Sequence, residues 1–359
     1  MEGRPTIYDV AREAGVAPST VSRAYARPGR VNAHTARLIF EAAERIGYRS
    51  ERLDARLPAA AGRTKALGLV VSDVTNPFYG PIISGAYEAA REAGFVLILS
   101  HTTESPAAER QAIETELPHV DGLVIASSRM SDSALRTIAK QKALVLLNRT
   151  IPEVCCVVTD NPRGARRAAE HLGMLGHESI LYVAGPEASW SDGIRWRALR
   201  EAGLELALDV RRIGPNEPTI LAGFRAARRV VELGATAVLA YNDQLAIGVM
   251  KGVRQLGLRV PDDVSVVGFD NIIFDEIVEP ALTTVAAPLH QMGATGVHNC
   301  IAVTHGAQPS APPLVLPVKL VERASTAHCR RYSTSPARGT TSVSGAAANA
   351  PTSTVEGSR

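Results

Sequence analysis

From Ala66 to Asp270 the chain alternates near-continuous Val, Ile and Leu runs with amphipathic stretches, and that alternation leaves few folds open. The runs are ALGLVVSDV, FVLILSHT, LVIAS, ALVLLN, CCVVTD, SILYVAG, TAVLAYND and VSVVGFD; between them lie segments such as PIISGAYEAAREAG, RGARRAAEHLGMLG, IRWRALREAG and QLAIGVMKGVRQLG. A strand that is apolar at successive positions is buried on both faces. That happens when helices cover a parallel sheet on both sides and cross over with right-handed connections. At 359 residues the chain is too long for one ordinary domain, so two or three are expected. Only 4% of residues are aromatic, and the core must be built mainly from Ala, Val, Leu and Ile.

Open parallel sheets bind ligands at the carboxyl ends of their strands, which makes the polar residues after each run informative. They are Asn76-Pro77-Phe78-Tyr79, Asn148-Arg149, Asn242-Asp243 and Asp270-Asn271. Taken singly each has an ordinary reading: Asn-Pro as a turn, Arg149 in a surface ion pair, Asp270 as a helix cap. Together, amides, carboxylates, an arginine and an aromatic ring suit a polyhydroxylated molecule. Catalysis finds no comparable support. There is no Gly-x-Ser-x-Gly elbow, no phosphate loop, no Gly-x-Gly-x-x-Gly after the first strand and no His pair at zinc spacing. The nine His are scattered, and His101 and His177 read as surface or core residues. Cys155 and Cys156 are adjacent and cannot readily bridge, and Cys300 and Cys329 stand far apart, so reduced thiols with no metal and no cofactor are expected. No stretch approaches about 20 uninterrupted apolar residues, and the N-terminus opens on a charged helix rather than an apolar signal region, which points to the cytosol and away from a membrane.

Residues 6 to 25, TIYDVAREAGVAPSTVSRAY, have a different character. Thr6 with Asp9 has capping-box spacing, and Ile7, Val10, Ala11 and Ala14 make one apolar face. Gly15 supplies a turn, and Pro18 fits the first turn of a second helix with Val21, Ala24 and Tyr25 on its buried side. The other side shows Ser19, Thr20, Ser22 and Arg23, hydroxyls for phosphates or base edges and a guanidinium for guanine. A third helix is expected from an Asn32 cap through Leu38, Ile39, Ala42, Ala43 and Ile46 to Gly47. Residues 1 to 65 hold twelve Arg or Lys against seven Asp or Glu, so positive charge gathers where phosphates would lie.

The motif T-x-x-D-V-A-x-x-A-G-V-x-x-x-T-V-S-R makes residues 6 to 57 resemble the head and hinge of the lactose-repressor/galactose-repressor (LacI/GalR) family. The resemblance implies that Ala17, Pro18 and Ser19 read bases, that Arg23 contacts a base or phosphate, and that Thr6, Tyr8, Thr20, Ser22, Arg30 and Asn32 contact the DNA backbone. Ala26 stands where the family usually has Asn. The family's minor-groove wedge falls on Leu57, with Leu53 as the other candidate; RSERLDARLPAAAGRTK lacks the usual Pro-Asn start and places Pro58 directly after Leu57, so a plain basic linker is the alternative.

Over the remainder, to about residue 326, the resemblance implies an all-α helix-turn-helix head plus an α/β periplasmic-binding-protein-like core of two parallel-sheet subdomains. The implied division is 1–49 for the head, 50–65 for the hinge, 66–162 with 290–326 for the first subdomain, 163–289 for the second, and 327–359 for a disordered tail rich in Ser, Thr, Ala, Gly and Pro. Asn76, Phe78, Tyr79, Arg149, Arg195, Asn242 and Asp270 match the family's effector-binding positions, and Asn148 joins them where sugar binders commonly have Asp. Pro218 replaces an aromatic lid residue and Ala287 a commonly polar one. The implied protein is not an enzyme. It is a dimeric repressor of double-stranded operator DNA controlled by a sugar-like effector, the alternatives being a nucleoside or other polar effector, or a core that no longer senses a metabolite.

Overall fold

The computed structural model describes residues 5–26, 31–46, 48, 64–308 and 312–329. Three helices open the chain: α1 (Ile7–Glu13), α2 (Pro18–Ala26) and α3 (Ala33–Arg45). Asp9 organises the start of α1 by accepting from both the backbone N–H of Thr6 at 2.8 Å and its hydroxyl at 2.6 Å. Gly15 makes the α1–α2 turn at φ +65°, a conformation a β-carbon would strain. The Asn32 side chain accepts from the His34 N–H at 2.9 Å and caps α3. Val10, Ala11, Val21, Ala24, Ile39, Phe40, Ala42 and Ala43 close one small core. That core extends onto the rest of the chain: Ala302 and Ala307 join it, Phe40 stacks on His305 at 5.1 Å, and the Gln308 N–H donates to the Tyr25 carbonyl at 2.9 Å. Gly47, Arg30, Leu53, Leu57 and residues 330–359 lie outside the described residues.

The first sheet contains β1 (Ala66–Val71), β2 (Val96–His101), β3 (Gly122–Ala126), β4 (Ala143–Leu147), β5 (Cys155–Thr159) and β11 (Leu314–Leu316). The second contains β6 (Ser179–Val183), β7 (Asp209–Ile213), β8 (Ala237–Ala240), β9 (Ser265–Asp270), β10 (Thr283–Ala286) and β12 (Lys319–Val321). Strand order is β2-β1-β3-β4-β5-β11 in one and β7-β6-β8-β9-β10-β12 in the other, the same winding twice although the sequence shows no repeat. All pairings are parallel except β10 with β12. Burial follows the strand's place: β1, β3, β5, β8, β9 and β10 are buried along their whole length, whereas the edge strands β2 and β7 are largely exposed.

The intervening helices are α4 (Tyr79–Glu92), α5 (Pro106–Glu116), α6 (Asp132–Gln141), α7 (Asn161–Met174), α8 (Trp190–Glu205), α9 (Ile220–Glu232), α10 (Asp243–Gln255) and α11 (Leu289–Thr304). Glycine lets two pairs of them touch backbone to backbone. A β-carbon on Gly85 of α4 would lie 2.0 Å from the His290 carbonyl of α11, and one on Gly248 of α10 would lie 2.1 Å from the Ile220 carbonyl of α9. Either substitution would force the helices apart.

Two boundaries differ from the sequence expectation. The resemblance places residues up to 326 in the first subdomain, yet Lys319–Val321 pairs with β10 in the second sheet, so the chain crosses between the sheets once more after β11. Composition predicts a disordered tail from residue 327, yet the Ala327 N–H donates to Ser265 Oγ at 3.1 Å and the Cys329 N–H to the Leu175 carbonyl at 2.8 Å. His177 lies under this segment, bonded to Thr236 at 3.1 Å and Ser265 at 3.0 Å, a core residue rather than a ligand contact. Among the described residues no helix is long and apolar enough to cross a membrane.

Candidate functional site

Two surfaces follow from this fold, one on the head and one between the sheets. On the head, α2 turns Val21 and Ala24 inward, leaving Ala17, Pro18, Ser19, Ser22 and Arg23 exposed and Thr20 half-buried. Thr6, Tyr8 and Asn32 are exposed on the neighbouring turns. Arg23 Nε donates back to the Ser19 carbonyl at 3.1 Å, which aligns its guanidinium along the polar face of α2. A short helix with small N-terminal residues and an arginine one turn later has the form that enters a major groove.

Between the sheets, strand ends converge. Asn76, Phe78 and Tyr79 after β1, Asn148 after β4, Arg195 on α8, Asn242 before α10 and Asp270 at the end of β9 all line one cleft. Only about 20 Å³ separates the walls, room for one water, so anything larger requires the subdomains to part. One bond already spans them, from Ser191 Oγ on α8 to the Asn148 carbonyl at 3.2 Å.

The second-sheet wall is tightly braced. Arg195 Nε donates to Asn161 Oδ1 at 2.8 Å, Nη1 to the Tyr241 carbonyl and Nη2 to Asp270 at 3.5 Å, with the guanidinium 3.6 Å above the Phe269 ring. Asp270 and Asn271 adopt left-handed φ values of 121° and 65°, unusual for residues with side chains. Asp243 beneath holds that turn: it accepts from the N–H groups of Asn271 at 2.6 Å and Ile272 at 3.1 Å and from Thr284 Oγ1 at 2.6 Å. Burial pushes the Asp270 carboxyl well above the usual range, Arg195 pulls it back, and Asp243 raises it further. Asp275, fully buried beside Asp243, is pushed up to about 10 by burial and then by the Asp243 charge.

Arg149 is placed elsewhere. Its guanidinium donates to the carbonyls of Ser128 at 2.9 Å and Met130 at 2.6 Å and to Asp132 at 2.6 Å, bracing the loop between β3 and α6 without lining the cleft. The turn explains it: Asn148 takes a left-handed φ of 59°, which directs residue 148 into the cleft and residue 149 behind it. Asn242 is in the cleft but committed, its Oδ1 capping α10 through the Leu245 N–H at 3.0 Å and its Nδ2 reaching the Pro218 carbonyl at 3.4 Å.

Glu104, Ser127, Arg129 and Tyr241 line the cleft as well and were not expected from sequence. A signal was present for three of them. Ser127 and Arg129 follow the apolar run GLVIA, and Tyr241 immediately precedes Asn242. Pro218 also lines the cleft and Ala287 does not.

Comparison with known proteins bears on both surfaces. A family profile described as "Bacterial regulatory proteins, lacI family" matches residues 6–51, and one described as "Periplasmic binding protein-like domain" matches residues 169–326. The HTH-type transcriptional regulator DegA of Bacillus subtilis is 33% identical over 333 residues, covering 90% of this chain and 98% of that protein. Among solved structures, the lac repressor dimer bound to operator and the anti-inducer ONPF superposes with a TM-score of 0.67 at 26% identity, covering 90% of this chain and all of that one. A LacI family transcriptional regulator from Enterococcus faecalis V583 with bound ribose superposes with a TM-score of 0.68 at 30% identity, covering 74% of this chain and all of that one. Such relatives are transcriptional regulators rather than enzymes. With one-third identity sustained across nine-tenths of its length and the head and core segments in the same order, this chain belongs to the lacI family of bacterial regulatory proteins, as a DNA-binding transcriptional regulator with a ligand-binding core.

Proposed function

We propose that the chain is a dimeric repressor whose operator affinity is set by a small, sugar-like effector held in the cleft between the two sheets. The observation that carries this reading is the convergence of Asp270, Arg195, Asn148, Asn76 and Phe78 from four separate segments onto one interdomain cleft. Three connections cross between the sheets, after β5, after β10 and after β11, and they form the hinge about which the walls separate and close. Closure around a ligand moves the first subdomain, which carries the head through the Phe40–His305 and Tyr25–Gln308 contacts. The bound ribose in the Enterococcus faecalis relative supports a sugar-sized occupant, and the operator-bound lac repressor supports the direction of the output.

A twofold assembly is supported by the surface. Edge strand β2 exposes Val96 at 66% and Leu99 beside it, Tyr87 projects from α4, and in the second subdomain Ile273 is 74% exposed with Ile277 nearby. Apolar side chains on both subdomains, one set on an unpaired strand edge, suit burial against a second copy. Two heads on a symmetric dimer match a palindromic site. In this reading Arg23, Ser19, Pro18 and Ala17 face base edges, while Thr6, Tyr8, Thr20, Ser22 and Asn32 fix register on phosphates. The head (1–49), linker (50–65) and core follow the division given above, with the second subdomain extended to take in β12 and residues up to 329. Such a protein acts in the bacterial cytosol.

Selection of a site from random duplexes, followed by fluorescence anisotropy at physiological salt, tests the output. A palindromic site bound at least about a thousandfold tighter than random DNA is expected, and Arg23→Ala should lose about 1 to 3 kcal/mol of that preference. Failure to enrich any site would end the reading.

A further inference from the structure

The first-sheet wall carries an ion pair that the folded protein does not use up. Arg129 follows β3 with its side chain only 5% exposed, and its Nε donates to Glu104 at 2.6 Å. Its backbone is pinned too, the N–H donating at 2.8 Å to Glu109 on α5. Among the described residues its Nη1 and Nη2 have no hydrogen-bond partner, and the residue lines the cleft. Burial works against the Arg129 charge, but Tyr241 on the opposite wall, Glu104 and Tyr79 outweigh it and hold its pKa above the ordinary arginine value. Beside it the buried Asn148 Oδ1 accepts no hydrogen bond, although its Nδ2 reaches Ser127 Oγ at 3.4 Å. The guanidinium edge opens on the cleft, and the buried amide oxygen without a partner costs free energy, on the order of 1 to 3 kcal/mol, until something completes it.

The chemistry of the missing partner follows from what surrounds these atoms. A hydroxyl accepts from the guanidinium and donates to Asn148 Oδ1 or to the second Glu104 oxygen, and so completes two groups at once, and a pair of neighbouring hydroxyls completes all three. A phosphate or carboxylate completes only Arg129, while pressing its charge against Glu104 and facing Asp270 across the cleft. The walls hold two guanidinium groups, Arg129 and Arg195, each already paired with a carboxyl group, Glu104 and Asp270. We propose that the Arg129–Glu104 pair is a specificity-determining element of the cleft, selecting an uncharged, hydroxyl-bearing effector over its phosphorylated or carboxylated counterpart. This rests on the cleft being the effector site.

Calorimetric titration of the full-length protein tests it with a panel of free pentoses, hexoses, disaccharides and nucleosides, each beside its phosphate ester. The wild-type protein should bind an uncharged member at least about tenfold more tightly than its ester. Arg129→Met, which keeps the length and removes the donors, should weaken that binding by about tenfold or more. Glu104→Gln leaves Arg129 uncompensated and should shift the preference toward the ester by about tenfold, a gain that misfolding cannot produce. If an uncharged compound binds and Arg129→Met stays within twofold, or Glu104→Gln leaves the preference unchanged, the inference is overturned while the cleft reading stands. Preference of the wild type for an ester overturns it as well. Binding of no compound to the wild type overturns the cleft reading and the inference with it.

Discussion

On the second-sheet wall of the cleft all three guanidinium nitrogens of Arg195 are bonded, to Asn161 at the start of α7, the Tyr241 carbonyl and Asp270, whereas on the first-sheet wall Arg129 is held by one nitrogen and, among the described residues, leaves two open. The same contrast holds for the carbonyl and carboxylate groups. Asp243 is saturated by two backbone N–H groups and a hydroxyl, while Asn148 Oδ1 has no donor. At the cleft, one wall presents a single carboxylate from a braced scaffold and the other a partly unsatisfied surface that a ligand completes, while behind the second wall the buried Asp275 oxygens have no hydrogen-bond partner among the described residues. Stability and recognition are thus divided: substitutions in the bracing of the second wall should cost folding free energy, and substitutions on the first wall, or of the carboxylate that the second presents, should cost affinity.

The largest effect is expected at Arg195. Arg195→Met removes the partner of buried Asp270 and leaves Asn161 and the Tyr241 carbonyl without their donor, so unfolding in urea should lose about 3 to 5 kcal/mol. A loss below about 1 kcal/mol would mean the second wall is not held by this residue. Asp270→Asn comes next. It preserves shape but removes the acceptor charge, and effector affinity should drop about ten- to hundredfold with a smaller change in stability. Equal losses in the two assays would erase the division between the walls.

Asp275 gives a pH signature confined to the second wall. Its folded pKa is raised above the unfolded value near 3.8 to about 10, so the folded state retains a proton that the unfolded chain releases. Stability from this group is full below about pH 4 and declines as pH rises toward 10. Asp275→Asn, which stays neutral at every pH, should flatten that decline and stabilise the protein at pH 8 by about 1 to 3 kcal/mol. An unchanged melting profile between pH 5 and about 9 would show that the proton resides elsewhere. The smallest effect is expected for Arg149→Ala. Because Arg149 braces the 128–132 loop from behind, it should shift effector affinity by less than about tenfold, acting through Arg129 and Ser127. A loss as large as that of Asp270→Asn would mean that Arg149 reaches the ligand after all.

The sequence made the scaffold more legible than the site. Strands such as ALGLVV and SVVGFD are buried on both faces, and that condition is written into consecutive residues, so fold class and the strand-end rule could be read directly. Asn76, Asn148 and Asp270 followed from that rule. Arg149 did not, because a single left-handed residue at 148 reverses which neighbour enters the cleft, and Asn tolerates that conformation without announcing it. Glu104 sits three residues beyond β2, where loop geometry rather than strand period decides the direction of the side chain. The exchange of β12 into the second sheet and the anchoring of Ala327 and Cys329 depend on pairing with residues 33 to 154 positions away, and no local pattern encodes such a partner.

The central claim is that occupancy of the cleft changes how the head engages DNA. It is tested most directly by titrating the selected operator with full-length protein, in fluorescence anisotropy, with and without a saturating amount of the compound that calorimetry identifies. The account predicts at least a tenfold change in operator affinity for the wild type and less than a twofold change for Asp270→Asn at the same compound concentration. An operator affinity that stays the same while the cleft is demonstrably filled would contradict it.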